Sequence, residues 1–469
     1  MSREYPTRQA VVVIHGIGEQ RPMQTLRGFV NAIVTATNKY GQKYWNKPDR
    51  MSESFELRRL TAPGDKKNWP TTDYFEYYWA FNMRDTKYRH VLNWLLRLLL
   101  TKPSNIPSRI RAVWWGSWTL VALAVVAAFE GWIAPPGEAT QTGWLVSAVS
   151  LIGAGVLNTV FLGFIGDAAR YLSPHPDNIA QRQAIRSDGI RLVRHLHESG
   201  KYGRVIVVGH SLGSVIAYDI LRFVWDEYRD TSPTASSVDR DACIARMKAL
   251  IKEGPGEDAH AFAERYQSLQ KQLWREERLR GSGWLVTDLV TCGSPLAHAS
   301  ILLATSPDDL AERQRERELP TCPPRSQRAE DSFTYPCRIS DECGHPAGTA
   351  PILHTSAPFA CVRWTNLYFA SDFIGGPLAD VFGAGIRDIT VKPENKGADK
   401  RHWNCRYLTG FTPLSHNMYW QPAKARRFWS STPPKTWNAI RRLRGAMSAN
   451  DMKLVQFPSI PAEEIGADD

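Results

Sequence analysis

The sequence predicts a mixed α/β chain in which strands and helices alternate, interrupted by a hairpin of two apolar helices. Three features predict it. Residues 10–15 (AVVVIH) are a short β-branched run ending in Gly16 and Gly18. Residues 204–208 (RVIVV) are another, followed at once by a glycine-flanked serine and a segment with helical spacing. Between them, residues 112–129 and 139–166 carry no charged side chain. At 469 residues and 43% hydrophobic, the chain can build one large core or two, and its 17 Trp, 16 Tyr and 17 Phe exclude wholesale disorder.

Residues 1–90 are the first part of the α/β domain. The N-terminus, MSREYPTRQA, has charges and a proline where an export signal needs an apolar stretch, so none is expected. After the first strand, residues 55–60 and 74–79 are the candidates for further early strands, whose number the sequence leaves open. Residues 91–170 read as a membrane region: an interfacial helix over 91–100, then spans at about 112–133 and 142–166 joined by a short turn holding Pro135, Pro136 and Gly137. Trp114, Trp115, Trp118, Trp132 and Trp144 mark the span ends as interfacial aromatics do. Arginines and lysines crowd both flanks, from Arg84 to Arg111 and from Arg170 to Arg194, and the turn has none, which places both flanks on the cytoplasmic side. The excess of 58 Lys and Arg over 47 Asp and Glu, a net +11, is then attraction to anionic headgroups, and no nucleic-acid partner is expected.

Residues 171–447 complete the α/β domain. The strand at 204–208 runs into Gly209-His210-Ser211-Leu212-Gly213. Small residues two before and two after a serine permit a sharp turn that holds its hydroxyl above a sheet, so Ser211 is the candidate nucleophile. The Leu212 amide, at the start of the following helix, is one oxyanion donor, and the turn after the first strand supplies another from Ile17 or Gly16. A serine needs a general base from further along the chain. His298, His345, His354, His402 and His416 lie downstream, and His416, in PLSHNMYW before aromatic anchors, is the choice, with His402 and then His298 behind it. The strand at 361–369 (CVRWTNLYF) leads to Asp372, which is placed to orient His416; Asp380 and Asp388 compete for that role. A further strand, 285–292 (LVTDLVTC), ends in the tight turn Gly293-Ser294-Pro295-Leu296.

HGIG after the first strand, GHSLG, the GSPL turn, the strand leading to Asp372 and SHNMYW, taken in that order, resemble the α/β-hydrolase superfamily, specifically its lipase and esterase-like branch. The resemblance implies a mostly parallel sheet flanked by helices and a Ser-His-Asp triad of Ser211, His416 and Asp372. The apolar hairpin between the early strands and the serine turn departs from that family's common fold. The expected activity is a membrane-anchored serine hydrolase acting on lipid or other acyl esters, with no cofactor. A thioesterase or peptidase on the same triad is the alternative within enzymes, and a catalytically silent membrane scaffold the alternative outside them.

The remaining segments carry less chemistry. Within 230–282, Ile244, Met247, Leu250 and Ile251, then Phe262, Tyr266, Leu269 and Leu273, recur at helical spacing and predict a two-helix cap or lid. Residues 306–358 read as an irregular excursion holding Cys322, Cys337, Cys343 and His345, without the paired C-x-x-C grip of a structural zinc site, so no metal is expected. Seven scattered cysteines make no disulfide framework and suit a reducing compartment. Residues 448–469 read as a mobile acidic tail.

Overall fold

The structure, a computed structural model, describes residues 8–17, 21–35, 40–64, 70–83, 99–133, 171–172, 176–229, 238–325, 333–340, 346–392, 413–420 and 438–455. In chain order its main elements are β1 (Arg8–Ile14), α1 (Gln24–Ile33), β2 (Trp45–Pro48), β3 (Arg58–Ala62), β4 (Thr71–Tyr77), α2 (Ser108–Ile133) and α3 (Pro176–Glu198). They continue with β5 (Arg204–His210), α4 (Leu212–Tyr228), α5 (Val238–Glu253), α6 (Ala259–Leu279), β6 (Val286–Cys292) and α7 (Pro307–Arg315). Last come β7 (Thr334–Ser340), β8 (Pro346–Leu353), β9 (Arg363–Phe369), β10 (Arg387–Val391) and α8 (Asn438–Met447).

Eight strands form one sheet in the order β10-β9-β6-β5-β1-β4-β3-β2. All neighbours from β10 to β4 are parallel, and β3 and β2 close one edge antiparallel. The central strands are apolar without alternation because both faces are covered. Ala10, Val12 and Ile14 of β1 join Val207 of β5 and Leu289 of β6 under α3, α4 and α6. Val11 and Val13 join Val208 and Val290 under α1 and α8. Full burial of each such side chain contributes about 1.5–3 kcal/mol. Successive strands are added on one side of β1 and then, from β5 onward, on the other, so the direction reverses between β1 and β5. In open parallel sheets that reversal leaves a crevice at the carboxyl ends of the two strands.

The opposite end of the sheet is closed by a buried polar network. The wholly buried Arg204 donates to Thr287 Oγ1 at 2.6 Å, Asp288 Oδ2 at 2.5 Å, and the carbonyls of Met447 and Ser448 at 2.8 and 2.9 Å. Burial alone would push the Asp288 carboxyl up, but the Arg363 and Arg204 guanidinia outweigh it and hold it below the usual range. The chain after α8 is docked by these bonds: Leu454 and Val455 are buried, so residues 448–455 belong to the packed body and not to a tail.

Several expectations change. The sequence places two membrane spans between the early strands and the serine turn, with the domain on the cytoplasmic side. Among the described residues no helix is long and apolar enough to cross a membrane, and the anchored, two-span placement is overturned. A helix does cover the first run, but α2 begins at Ser108, and its first turns are docked on protein. Arg109 bonds to carbonyls of the loop after β9, and Trp114 is buried against Ile106. An uncharged run reports apolar length only, and docking of its start is a tertiary fact. The second run, its turn and residues 91–98 lie outside the described residues.

The third and fourth strands are found at Arg58–Ala62 and Thr71–Tyr77, each shifted from 55–60 and 74–79; Phe55 is fully exposed. The two helices expected within 230–282 form as α5 and α6. Gln270 bonds to the carbonyls of Phe359 and Val362, and Tyr266 to that of Phe359, all just before β9. The pair therefore covers a sheet face near its amino end and does not roof the carboxyl end. The excursion at 306–358 contains α7 and the two-stranded antiparallel sheet β7-β8.

Candidate active site

Ser211 stands alone between β5 and α4, with φ 51° and ψ −130°. A non-glycine residue held there costs about 1–3 kcal/mol and persists only when its surroundings enforce it. Here two glycines do so. A Cβ on Gly209 would lie 2.5 Å from Ser214 Cα, and one on Gly213 would lie 2.4 Å from the carbonyl oxygens of both Ile14 and His15. Only glycine lets the strand, the turn and the end of β1 pack this closely. The turn is fixed further by Ser211 N–H donating to the Cys292 carbonyl at 3.0 Å. Ser214 Oγ lies 2.6 Å from the Ser211 carbonyl and 2.7 Å from Ser294 Oγ.

The segment after β1 comes against the same serine. A Cβ on Gly16 would sit 2.7 Å from Ser211 Cβ. His15, buried and stacked on Trp79, has Nδ1 2.7 Å from the Gly16 carbonyl oxygen, and Trp79 N–H donates to His15 Nε2 at 3.3 Å. This pairing makes Nδ1 the protonated nitrogen, consistent with burial pulling the imidazole down to about 4. Since the peptide is trans, a Gly16 carbonyl held on His15 turns the Ile17 N–H to the opposite side. Leu212 opens α4, where the first amides have no intrahelical partner.

His416 lies on the short turn Pro413–Asn417, with Nδ1 2.9 Å from Asp372 Oδ2, and both side chains are buried. Asp372 follows β9. Its Oδ1 accepts the Ile374 and Gly375 N–H groups at 3.0 Å each, and its Oδ2 also accepts the Tyr419 hydroxyl at 2.9 Å. Burial opposes the charge, but His416 and these donors prevail and hold the carboxyl below its ordinary range. Gly293, at φ 58°, leaves room for the pair: a Cβ there would be 2.9 Å from Asp372 Oδ2 and 3.0 Å from His416 Nδ1.

The elbow and the His416 turn are joined directly. His210, next to Ser211, donates from Nε2 to the His416 carbonyl at 2.8 Å, and the two rings are 5.0 Å apart. The Trp420 ring lies edge-on to that of His210, with centroids 5.0 Å apart. Burial, then the neighbouring His416, pull the His210 imidazole down to about 3, which keeps it neutral. Ser211, Gly16, His416 and Asp372 thus lie together at the carboxyl ends of β1, β5, β6 and β9, where the strand order reverses.

Other candidates lie elsewhere. His354 is bonded to Ser356 N–H, and its carbonyl accepts the Trp225 indole near the far end of α4. His298 bonds to the Phe373 carbonyl, behind the Asp372 loop. Asp388 accepts the Leu378 and Ala379 amides and the Asn366 side chain, and Asp380 is exposed. His402, His345 and Cys343 lie outside the described residues. Cys322 is buried and Cys337 half-buried, and no group of three or more metal-binding side chains occurs among the described residues. Sequence reasoning treated Tyr419 only as an aromatic anchor and gave His210 no role; the position of each beside His416 in space is visible only in the fold.

No family model, curated protein or solved structure matches this chain.

Proposed function

We propose that the protein is an α/β-hydrolase-type serine hydrolase that cleaves carboxylic acyl esters through an acyl-enzyme. The observation that carries this reading is the strained Ser211 turn beside a buried His416–Asp372 pair. Structural histidine–aspartate pairs occur, but a serine at positive φ between two obligatory glycines is a costly arrangement without a use for the hydroxyl.

In this scheme Ser211 Oγ attacks the ester carbonyl while His416 Nε2 takes the hydroxyl proton. Asp372, bonded to Nδ1–H, fixes the tautomer that leaves Nε2 basic and stabilises the imidazolium. The oxyanion is bound by the amides of Leu212 and Ile17, with Gly16 the other contributor from that loop; one such donor is worth about 3 kcal/mol in the transition state. Collapse breaks the C–O bond, and the departing alkoxide takes the proton from His416. Water then adds to the acyl-enzyme with His416 again as base, releasing the acid and restoring Ser211. The test is p-nitrophenyl acyl ester hydrolysis followed from the first turnover. Wild type is expected to turn over, and Ser211→Ala to retain no more than background; equal rates for the two would remove Ser211 from the scheme.

A further inference from the structure

The loop that carries Asp372 is gripped from outside by helix α2. Arg109, in its first turn, has Nη1 3.0 Å from the Asp372 carbonyl oxygen and 3.1 Å from that of Gly375, with Ala370 O at 3.5 Å. Its guanidinium lies over the Tyr368 ring, 5.1 Å from the centroid. Those carbonyls bracket the Ile374 and Gly375 amides that bind Asp372 Oδ1. In this turn N–H groups point in toward the carboxylate and carbonyls point out toward the guanidinium. All three contacts come from Nη1, whose two N–H groups serve the Asp372 and Gly375 carbonyls at the shorter distances, while the rest of the planar guanidinium rests on the Tyr368 ring.

Building on the serine-hydrolase reading above, we propose that Arg109 is a positioning residue for Asp372. It holds the acid loop in the one shape that aims the carboxylate at His416 Nδ1, and so makes α2 a working part of the site. Gly376 belongs to the same device. A Cβ there would lie 3.1 Å from Arg109 Cδ, 3.2 Å from its Nε and 3.0 Å from Ala297 Cβ, so any larger residue at that position pushes on the arginine side chain by a few tenths of an ångström.

The experiment compares full-length wild type, Arg109→Gln and Gly376→Ala by ester kinetics and by the far-downfield proton resonance of His416 Nδ1–H, assigned through its loss in Asp372→Asn. In Arg109→Gln, kcat is expected to fall about 10- to 100-fold with KM little changed, as a small misplacement of a reacting group does, and the resonance to shift upfield or vanish. Gly376→Ala, which crowds the guanidinium without altering charge, is expected to move both readouts the same way by less, and the double variant to be no slower than Arg109→Gln alone. Gly376→Ala decides the matter if Arg109→Gln does not fold. Wild-type kinetics in the variants, or a slower kcat with the resonance unmoved, overturns the proposal. If wild type itself shows no Ser211-dependent turnover, the hydrolase reading has failed and this inference falls with it; if wild type turns over and the variants match it, only the role of Arg109 fails.

Discussion

Asp372 is the most heavily supported side chain of the site, and each of its bonds is a separate test. Tyr419 donates its hydroxyl to the same carboxylate oxygen that faces His416, and also accepts the Phe369 N–H at 3.2 Å. Hydrogen bonds to a charged partner are worth about 1.5–3 kcal/mol. Tyr419→Phe is therefore expected to lower kcat/KM by roughly 10-fold or more while leaving the ring in place, measured on the same acyl ester. Ser211 was legible in the sequence because its requirement is local: two glycines at fixed spacing between a β-branched run and a helix. Asp372 and His416 were legible by order along the chain. Tyr419, His210 and Arg109 were not, because each acts across 47, 206 and 263 positions of chain respectively and no spacing rule links such partners.

At the scale of elements, β5, α4 and the end of β1 are one unit fastened at Gly213. Its substitution by alanine would force the Ile14 and His15 carbonyls, 2.4 Å from the new Cβ, to move with the segment that supplies the Ile17 amide. Gly213→Ala is expected to cost about 1–3 kcal/mol of stability, read by denaturant unfolding, and to reduce activity further than that loss accounts for. The long, apolar central strands were readable because burial on both faces leaves a continuous hydrophobic run. The edge was not: β2 reads Trp-Asn-Lys-Pro, without apolar alternation, and is a strand only because β3 is beside it. α7 was hidden in a polar excursion, although Ser306 caps it by accepting the Asp309 N–H at 3.1 Å and Pro307 follows at the first position. The first apolar run did predict a helix, but length without charge spoke for lipid where Arg109 and Trp114 hold the start of α2 to protein.

For the whole molecule, folding keeps several imidazoles out of water. Burial pulls His15, His197 and His354 down to about 4 and His210 to about 3. The unfolded chain takes up these protons near pH 6.5, and the folded one does so only well below. Stability from this source is therefore complete above pH 6.5 and is lost as the pH falls toward 4, at up to about 1.4 kcal/mol per pH unit for each histidine. Thermal unfolding scanned from pH 8 to pH 4 should show the midpoint level above 6.5 and dropping below it; a midpoint that rises on acidification would contradict the burial described. The same closed interior brings four distant stretches of chain to the end of β1 and β5, where the proposed chemistry takes place. The most direct measurement is labelling of the full-length protein with a fluorophosphonate, followed by mass-spectrometric mapping of the adduct. A single modified residue, Ser211, is expected, with labelling abolished in Ser211→Ala and strongly slowed in His416→Ala. An adduct on another residue, or wild type left unlabelled, would contradict that chemistry.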